Sequence, residues 1–125
     1  IGAMLSLPGP VAQASLLVSA AAASSVTDNI PLAAVLAKIL ALNPLVVGPE
    51  GSNPGSPFWW CVIYGANLGG NITPIGSAST VVAMTIIHKN RLPLTFIGFV
   101  KVAFAFAAVQ IVLAIGYIWL TSLML

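Results

Sequence analysis

From residue 58 to residue 87 the chain runs apolar, then polar, then apolar again. The first arm is Phe58-Trp59-Trp60-Cys61-Val62-Ile63-Tyr64 and the last is Val81-Val82-Ala83-Met84-Thr85-Ile86-Ile87. Between them lies Gly65-Ala66-Asn67-Leu68-Gly69-Gly70-Asn71-Ile72-Thr73-Pro74-Ile75-Gly76-Ser77-Ala78-Ser79-Thr80. The whole stretch is longer than the roughly 20 residues a straight helix needs to cross a bilayer, yet its centre holds the residues least suited to hydrocarbon. This pattern predicts a broken helix over 58–88. Pro74 removes an amide and clashes with the preceding turn, while Gly69, Gly70 and Gly76 let a partner or an ion approach bare backbone. Irregular backbone inside a membrane survives only where it lines a cavity or is buried in protein, because unsatisfied groups cost several kcal/mol each in lipid. A simple proline kink would need neither the two asparagines nor the threonines and serines that surround this one.

The same logic applies upstream. Leu7-Pro8-Gly9-Pro10 is a turn signal. Val11 to Ser24 then reads as a helix that is apolar all round and rich in small residues suited to close packing in lipid. At 1.5 Å per residue it reaches about 21 Å, short of a full crossing. A second polar island follows, Ser24-Ser25-Val26-Thr27-Asp28-Asn29-Ile30-Pro31, with Pro31 suited to the first turn of a new helix and Asp28 or Asn29 suited to cap it. Leu32 to Leu42 makes a second arm of about 16 Å. Two short arms joined at a polar tip predict a re-entrant hairpin over 11–42.

Residues 43–57 carry Pro44, Gly48, Pro49, Gly51, Pro54, Gly55 and Pro57 and read as an irregular loop. Leu94 to about Leu123 is long enough for one complete, tilted crossing over 94–123. The expected fold class is therefore an all-α integral membrane protein with one re-entrant helical hairpin, one broken transmembrane helix and one full C-terminal transmembrane helix. Composition agrees: 59% of residues are hydrophobic and 5% charged, against about 25% charged in an ordinary soluble domain. The four basic residues, Lys38, Lys89, Arg91 and Lys101, are too few and too scattered to bind nucleic acid. Cys61 is the single cysteine, so the chain holds no internal disulfide.

Charge also suggests orientation. Lys89 and Arg91 sit in the 88–93 connection with Lys101 nearby, whereas the 43–57 loop carries Glu50 and neither Lys nor Arg. The positive-inside tendency makes the first cytoplasmic and the second external. Lys38 and Lys101 read as anchors that extend their ammonium groups toward the interface, and Trp59, Trp60 and Trp119 as aromatic-belt residues. Gln110, deep in the last helix, suits an interhelical hydrogen bond. His88 reads as a solvated end residue.

Candidate chemistry concentrates at the two polar islands. Asp28 is the only acid in any expected intramembrane segment, where such a residue is costly and suggests function; it also suits the plainer role of a helix cap, and the two are compatible. Asn67, Asn71, Thr73, Ser77, Ser79 and Thr80 offer oxygen ligands and donors without fixed charge. Enzyme chemistries fit poorly. An intramembrane aspartyl protease needs two acids, and a nucleophile at Gly76-Ser77-Ala78 would have only the distant His88 as its base.

Taken together, Ser25-Val26-Thr27-Asp28-Asn29-Ile30-Pro31 and the later Gly65-Ala66-Asn67-Leu68-Gly69-Gly70-Asn71-Ile72-Thr73-Pro74-Ile75-Gly76-Ser77 resemble the C-terminal repeat of the ion transporter superfamily. Its members include arsenite permeases, NhaD-type sodium/proton antiporters, the P-protein, and citrate and dicarboxylate transporters. The resemblance covers most of the chain from about Leu16. It implies two inverted repeats, with residues 1–125 forming the C-terminal portion of the transport domain and the N-terminal repeat missing from this chain. The chain, which opens on Ile1, is expected to be part of a longer transporter that forms a homodimer in the plasma (inner) membrane.

It further implies a substrate or ion site built from Ser25, Thr27, Asp28, Asn29, Asn67, Gly70, Asn71, Thr73, Pro74 and Ser77, with a sodium site at Asp28, Asn29 and Asn71. The coupling ion would be sodium or a proton, and no further cofactor is implied. Where the dicarboxylate branch carries Ser-Asn-Thr at the hairpin tip, this chain has Thr27, Asp28 and Asn29, which shifts weight toward the arsenite, antiporter and P-protein branches. The implied activity is ion-coupled secondary transport of a small ion or anion. The alternatives are a sodium/proton antiporter, a channel, and a non-transporting membrane subunit whose polar islands serve packing alone.

Overall fold

Prolines and small polar residues mark most of the helix boundaries. The computed structural model describes residues 1–48 and 53–124, and among these the regular structure is helical throughout. The helices are α1 (Gly2–Leu5), α2 (Gly9–Ser24), α3 (Asn29–Ala41), α4 (Pro44–Val47), α5 (Pro57–Gly69), α6 (Ala78–Lys89) and α7 (Phe96–Met124). Asp28 caps α3, its carboxylate accepting from the Ile30 amide at 3.4 Å. Pro31 is thus the third residue of α3 rather than the first, a position where a missing amide still costs nothing because the first turn has no partner for it.

The loop expected over 43–57 is not wholly irregular. Asn43 accepts from the Leu45 amide at 3.0 Å and Pro44 opens the one-turn α4, which ends at Gly48 with φ +70°. Glu50, used above for orientation, lies outside the described residues.

Within 58–88 the chain forms α5 and α6, separated by an irregular segment at 70–77. By length, α2, α3, α5 and α6 reach about 24, 20, 20 and 18 Å at 1.5 Å per residue, each less than the ~30 Å of a hydrocarbon core. The 29 residues of α7 are long and apolar enough to cross a membrane. Between α6 and α7 the chain turns in a Schellman motif. The Leu92 amide bonds the Ile87 carbonyl at 3.2 Å, the Arg91 amide bonds that of His88 at 3.0 Å, and Arg91 takes φ +55° where glycine is usual. His88 is not simply solvated, since its Nε2 lies 2.8 Å from the Leu94 carbonyl oxygen.

The packing is organised by α2 against α5. A Cβ added at Gly65 would stand 2.6 Å from the Leu17 carbonyl oxygen and 2.7 Å from the Ala20 Cβ, and one at Gly69 would stand 2.6 Å from the Ala21 Cα. Gly65 and Gly69 are four apart, on one face of α5, so their bare backbone lies flat on the small-residue face of α2. Around this contact Leu16, Leu17, Leu40, Val46, Cys61, Val62 and Ile118 form the buried core, drawing α3, α4 and α7 onto the pair. α7 is pinned at its far end by the Trp119 indole, which donates to the Pro10 carbonyl at 3.1 Å. Val81, Val82 and Ile86 of α6 stay exposed.

Because neither backbone can move away from an added methyl, Gly69→Ala should destabilise the protein by about 1–3 kcal/mol. Gly116, with nothing within 4 Å of an added Cβ, should tolerate alanine unchanged or gain slightly from helix propensity. Thermal unfolding of both variants of the full-length protein in detergent checks the contrast.

Candidate functional site at the hairpin tip and helix break

Docking α5 on α2 brings the α2 C-terminus, the α3 N-terminus, the α5 C-terminus and the 70–77 break into one region. Ser24 is fully buried and its hydroxyl donates to the Ala66 carbonyl. Thr73, in the break, donates to the Ser25 carbonyl at the tip. Asn29 Nδ2 lies 3.4 Å from Asn67 Oδ1, and Asn67 Nδ2 in turn donates to the Ile63 carbonyl at 2.8 Å. Of the residues expected to form a site, Ser25, Asn29, Asn67 and Thr73 are therefore joined directly across 38 to 48 positions of sequence.

The break is held by backbone. Asn71 and Ile72 amides bond the Leu68 and Gly69 carbonyls at 3.3 and 3.0 Å, and Gly76 returns to Thr73 at 3.2 Å. The two ends of the loop touch: a Cβ at Gly76 would be 2.7 Å from the Gly70 carbonyl oxygen, and one at Gly70 would be 3.0 Å from that of Gly76. Gly70, Pro74 and Gly76 are buried. Ser77 caps α6, its Oγ accepting from the Thr80 amide at 3.3 Å while lying 3.0 Å from Ser79 Oγ and 3.1 Å from Thr80 Oγ1. These hydroxyls form a cluster of their own.

The other site residues stand less closely. Thr27, Asp28 and Asn71 are exposed at the surface of this chain. Thr27 donates to the Ala23 carbonyl at 2.7 Å and Asp28 caps α3, so both have local backbone roles. Within the expected sodium triad, no hydrogen bond links the Asn71 side chain to Asp28 or Asn29. The junction was not fully anticipated either. Ser24 belongs to the polar island, but its buried bond to Ala66 depends on the α2–α5 approach, for which the four-residue spacing of Gly65 and Gly69 was the available signal. Gln110 departs from expectation: its Oε1 is buried without a hydrogen-bond partner among the described residues, as is that of Gln13.

Electrostatically, the region combines two kinds of helix end. The N-termini of α3 and α6 carry partial positive charge and the C-termini of α2 and α5 partial negative charge. Such a set can hold an anion and a cation near each other, with neutral amide and hydroxyl oxygens as ligands.

The chain is 36% identical over 97 residues to an uncharacterized transporter of Mycobacterium tuberculosis (strain H37Rv), covering 78% of this chain and 22% of that protein. It is 32% identical over 102 residues to a 46 kDa membrane protein of Mycobacterium leprae, covering 82% of this chain and 23% of that protein. The P protein of Homo sapiens is 35% identical over 98 residues, covering 78% of this chain and 12% of that protein. No family model matches, and no solved structure does. The chain thus spans about a fifth of the length of the bacterial relatives it matches. Relatives named as transporters support a transporter family for it, and with the long apolar α7 they support a place in the membrane.

Thr73→Val keeps the shape of the side chain but leaves the Ser25 carbonyl without its donor, a loss of about 1–3 kcal/mol where the group is shielded from water. Amide hydrogen exchange over 25–31 and 70–77 should quicken in this variant while the core of α2 is unaffected. Unchanged exchange at both segments would show that the tip and break do not depend on this bond.

Proposed function

We propose that this chain is the C-terminal, transport-domain portion of an ion-coupled secondary active transporter of the anion permease or arsenite permease type, moving a small ion by alternating access. The observation that carries the reading is the direct joining of the hairpin tip to the helix break through Thr73 with Ser25 and Asn29 with Asn67. Interrupted helices whose ends converge near mid-membrane are the arrangement in which transporters bind substrate and coupling ion. Residues 11–42 act as the re-entrant hairpin, 58–88 as the broken transmembrane helix and 94–123 as the full crossing. The short reach of α2, α3, α5 and α6 supports this division.

In this mechanism the ligand lies among Ser25, Asn29, Asn67, Asn71, Thr73 and Ser77, with the backbone of Gly70 and Pro74 shaping the break. Asp28 and Thr27 complete the tip. Asp28 supplies the one negative charge, which either holds sodium with Asn29 and Asn71 or exchanges a proton. Movement of the tip and break as one unit, made possible by their mutual hydrogen bonds, would expose the ligand to either side in turn. The remaining N-terminal repeat would supply the other half of the site in a homodimer embedded in the plasma (inner) membrane, with 43–57 external and 88–93 cytoplasmic. A sodium/proton antiporter of the same superfamily is the second reading, favoured by an acid at Asp28 in the tip.

Asp28→Asn in the full-length protein should abolish the dependence of flux on an imposed sodium or proton gradient in proteoliposomes, with insertion into the membrane unchanged. Coupled flux equal to that of the unaltered protein would remove Asp28 from the mechanism. Flux that runs only down the substrate gradient in both proteins would indicate a channel, and its absence in both a structural subunit.

A further inference from the structure

At the end of α2 and α5 away from the tip and break lies a cavity of about 420 Å³. Gln13 of α2, Trp60 of α5 and Tyr117, Thr121 and Ser122 of α7 line it. Gln13 is only 8% exposed, and its Oε1 is buried with no hydrogen-bond partner. A shielded amide oxygen without a donor is costly, and a half-turn of the terminal amide exchanges its oxygen and nitrogen, so either can be offered to a ligand. The hydroxyls beside it also have capacity to spare. Thr121 donates to the Tyr117 and Ile118 carbonyls at 3.1 and 3.0 Å, and Ser122 to that of Ile118 at 2.8 Å. Each spends its hydrogen on its own helix and keeps lone pairs.

Two aromatic rings complete the wall. Trp60 and Tyr117 are each about half exposed. They are braced through Tyr64, whose ring stacks on Trp60 with centroids 5.8 Å apart and meets Tyr117 edge-on at 6.2 Å. Charge then decides what fits. Among the described residues the lining carries no Asp, Glu, Lys, Arg or His. The helix ends offset one another as well, since α2 and α5 begin here with partial positive charge and α7 finishes here with partial negative charge. An ion entering this space would lose hydration and meet no counter-charge. A neutral group that both donates and accepts, with an apolar face for the rings, suits every part of the wall.

We infer that this cavity is a second binding site, separate from the tip and break, for an uncharged polyhydroxylated group such as a sugar ring. Its hydroxyls pair with Gln13, Thr121 and Ser122, and its C–H face lies on Trp60 and Tyr117. A free sugar and the headgroup of a glycolipid carry the same chemistry. The inference stands apart from the proposed transport reaction and holds whether or not the tip and break move an ion.

The test uses the full-length protein in a detergent whose headgroup is not a sugar. Methyl glucoside is titrated by calorimetry; in a second arm, nanodiscs of phosphatidylcholine and monoglucosyl diacylglycerol are assembled and the glycolipid retained on the protein is measured by mass spectrometry. Gln13→Met, which keeps the length of the side chain without its amide, should weaken binding about ten-fold, and Ser122→Ala about three-fold. Gln110→Met removes the other buried unpartnered amide outside this cavity and should bind as the unaltered protein does. Thermal unfolding of each variant separates lost binding from lost fold.

Saturable binding of methyl glucoside supports the inference and assigns a free sugar. Retention of the glycolipid alone supports it and assigns a headgroup. Affinity unchanged in both Gln13→Met and Ser122→Ala would overturn it. So would tetramethylammonium or acetate binding as tightly as methyl glucoside and being lost in the same variants. Failure of both probes to bind would overturn it too, as expected if another segment of the full-length polypeptide fills the cavity.

Discussion

Everything in this chain depends on two helices approaching until their backbones touch. In lipid there is no hydrophobic gain from burying one apolar helix against another, so close van der Waals contact must supply the association. Gly65 and Gly69 provide it, with Leu17, Ala20 and Ala21 as the surface they meet. The contact fixes where α2 ends relative to where α5 ends, and the polar residues beyond both ends are then neighbours without further specification. A larger side chain at either glycine would separate the tip from the break before it disturbed any polar side chain of the junction.

The polar junction solves a second constraint. Interrupting a helix releases amides and carbonyls that need partners wherever water is kept away. The chain answers with its own side chains: Ser24 caps the Ala66 carbonyl, Thr73 caps that of Ser25, Asp28 and Ser77 cap the following helices. Residues that read as ligands are thus at least partly engaged in satisfying backbone. The two roles coexist because a hydroxyl that donates to a carbonyl keeps its lone pairs, and Asn67, held at Ile63 by its amide nitrogen, keeps its oxygen directed at Asn29.

Much of this was legible in the sequence, for identifiable reasons. Pro74 and its glycines mark the break, and Pro31 with Asp28 marks the start of α3, since proline and capping residues act locally. The one-turn α4 is masked in the sequence by the prolines and glycines around it, although Asn43-Pro44 carries a cap and a first-turn proline. The bonds across the junction were not legible: they arise from the register of α2 on α5, which no local signal determines. Gln110 shows the same limit, its burial being visible from its place in an apolar helix and its lack of a partner only from the packing.

The self-contact of Gly70 with Gly76 bears on energetics of a different kind. A loop that must be gathered around an arriving ion loses conformational freedom at that moment and weakens the affinity accordingly. Here the ends of the interruption are already clasped, backbone on backbone. A ligand that met this segment would find it already gathered, so the entropy of closing the loop would not weaken its binding.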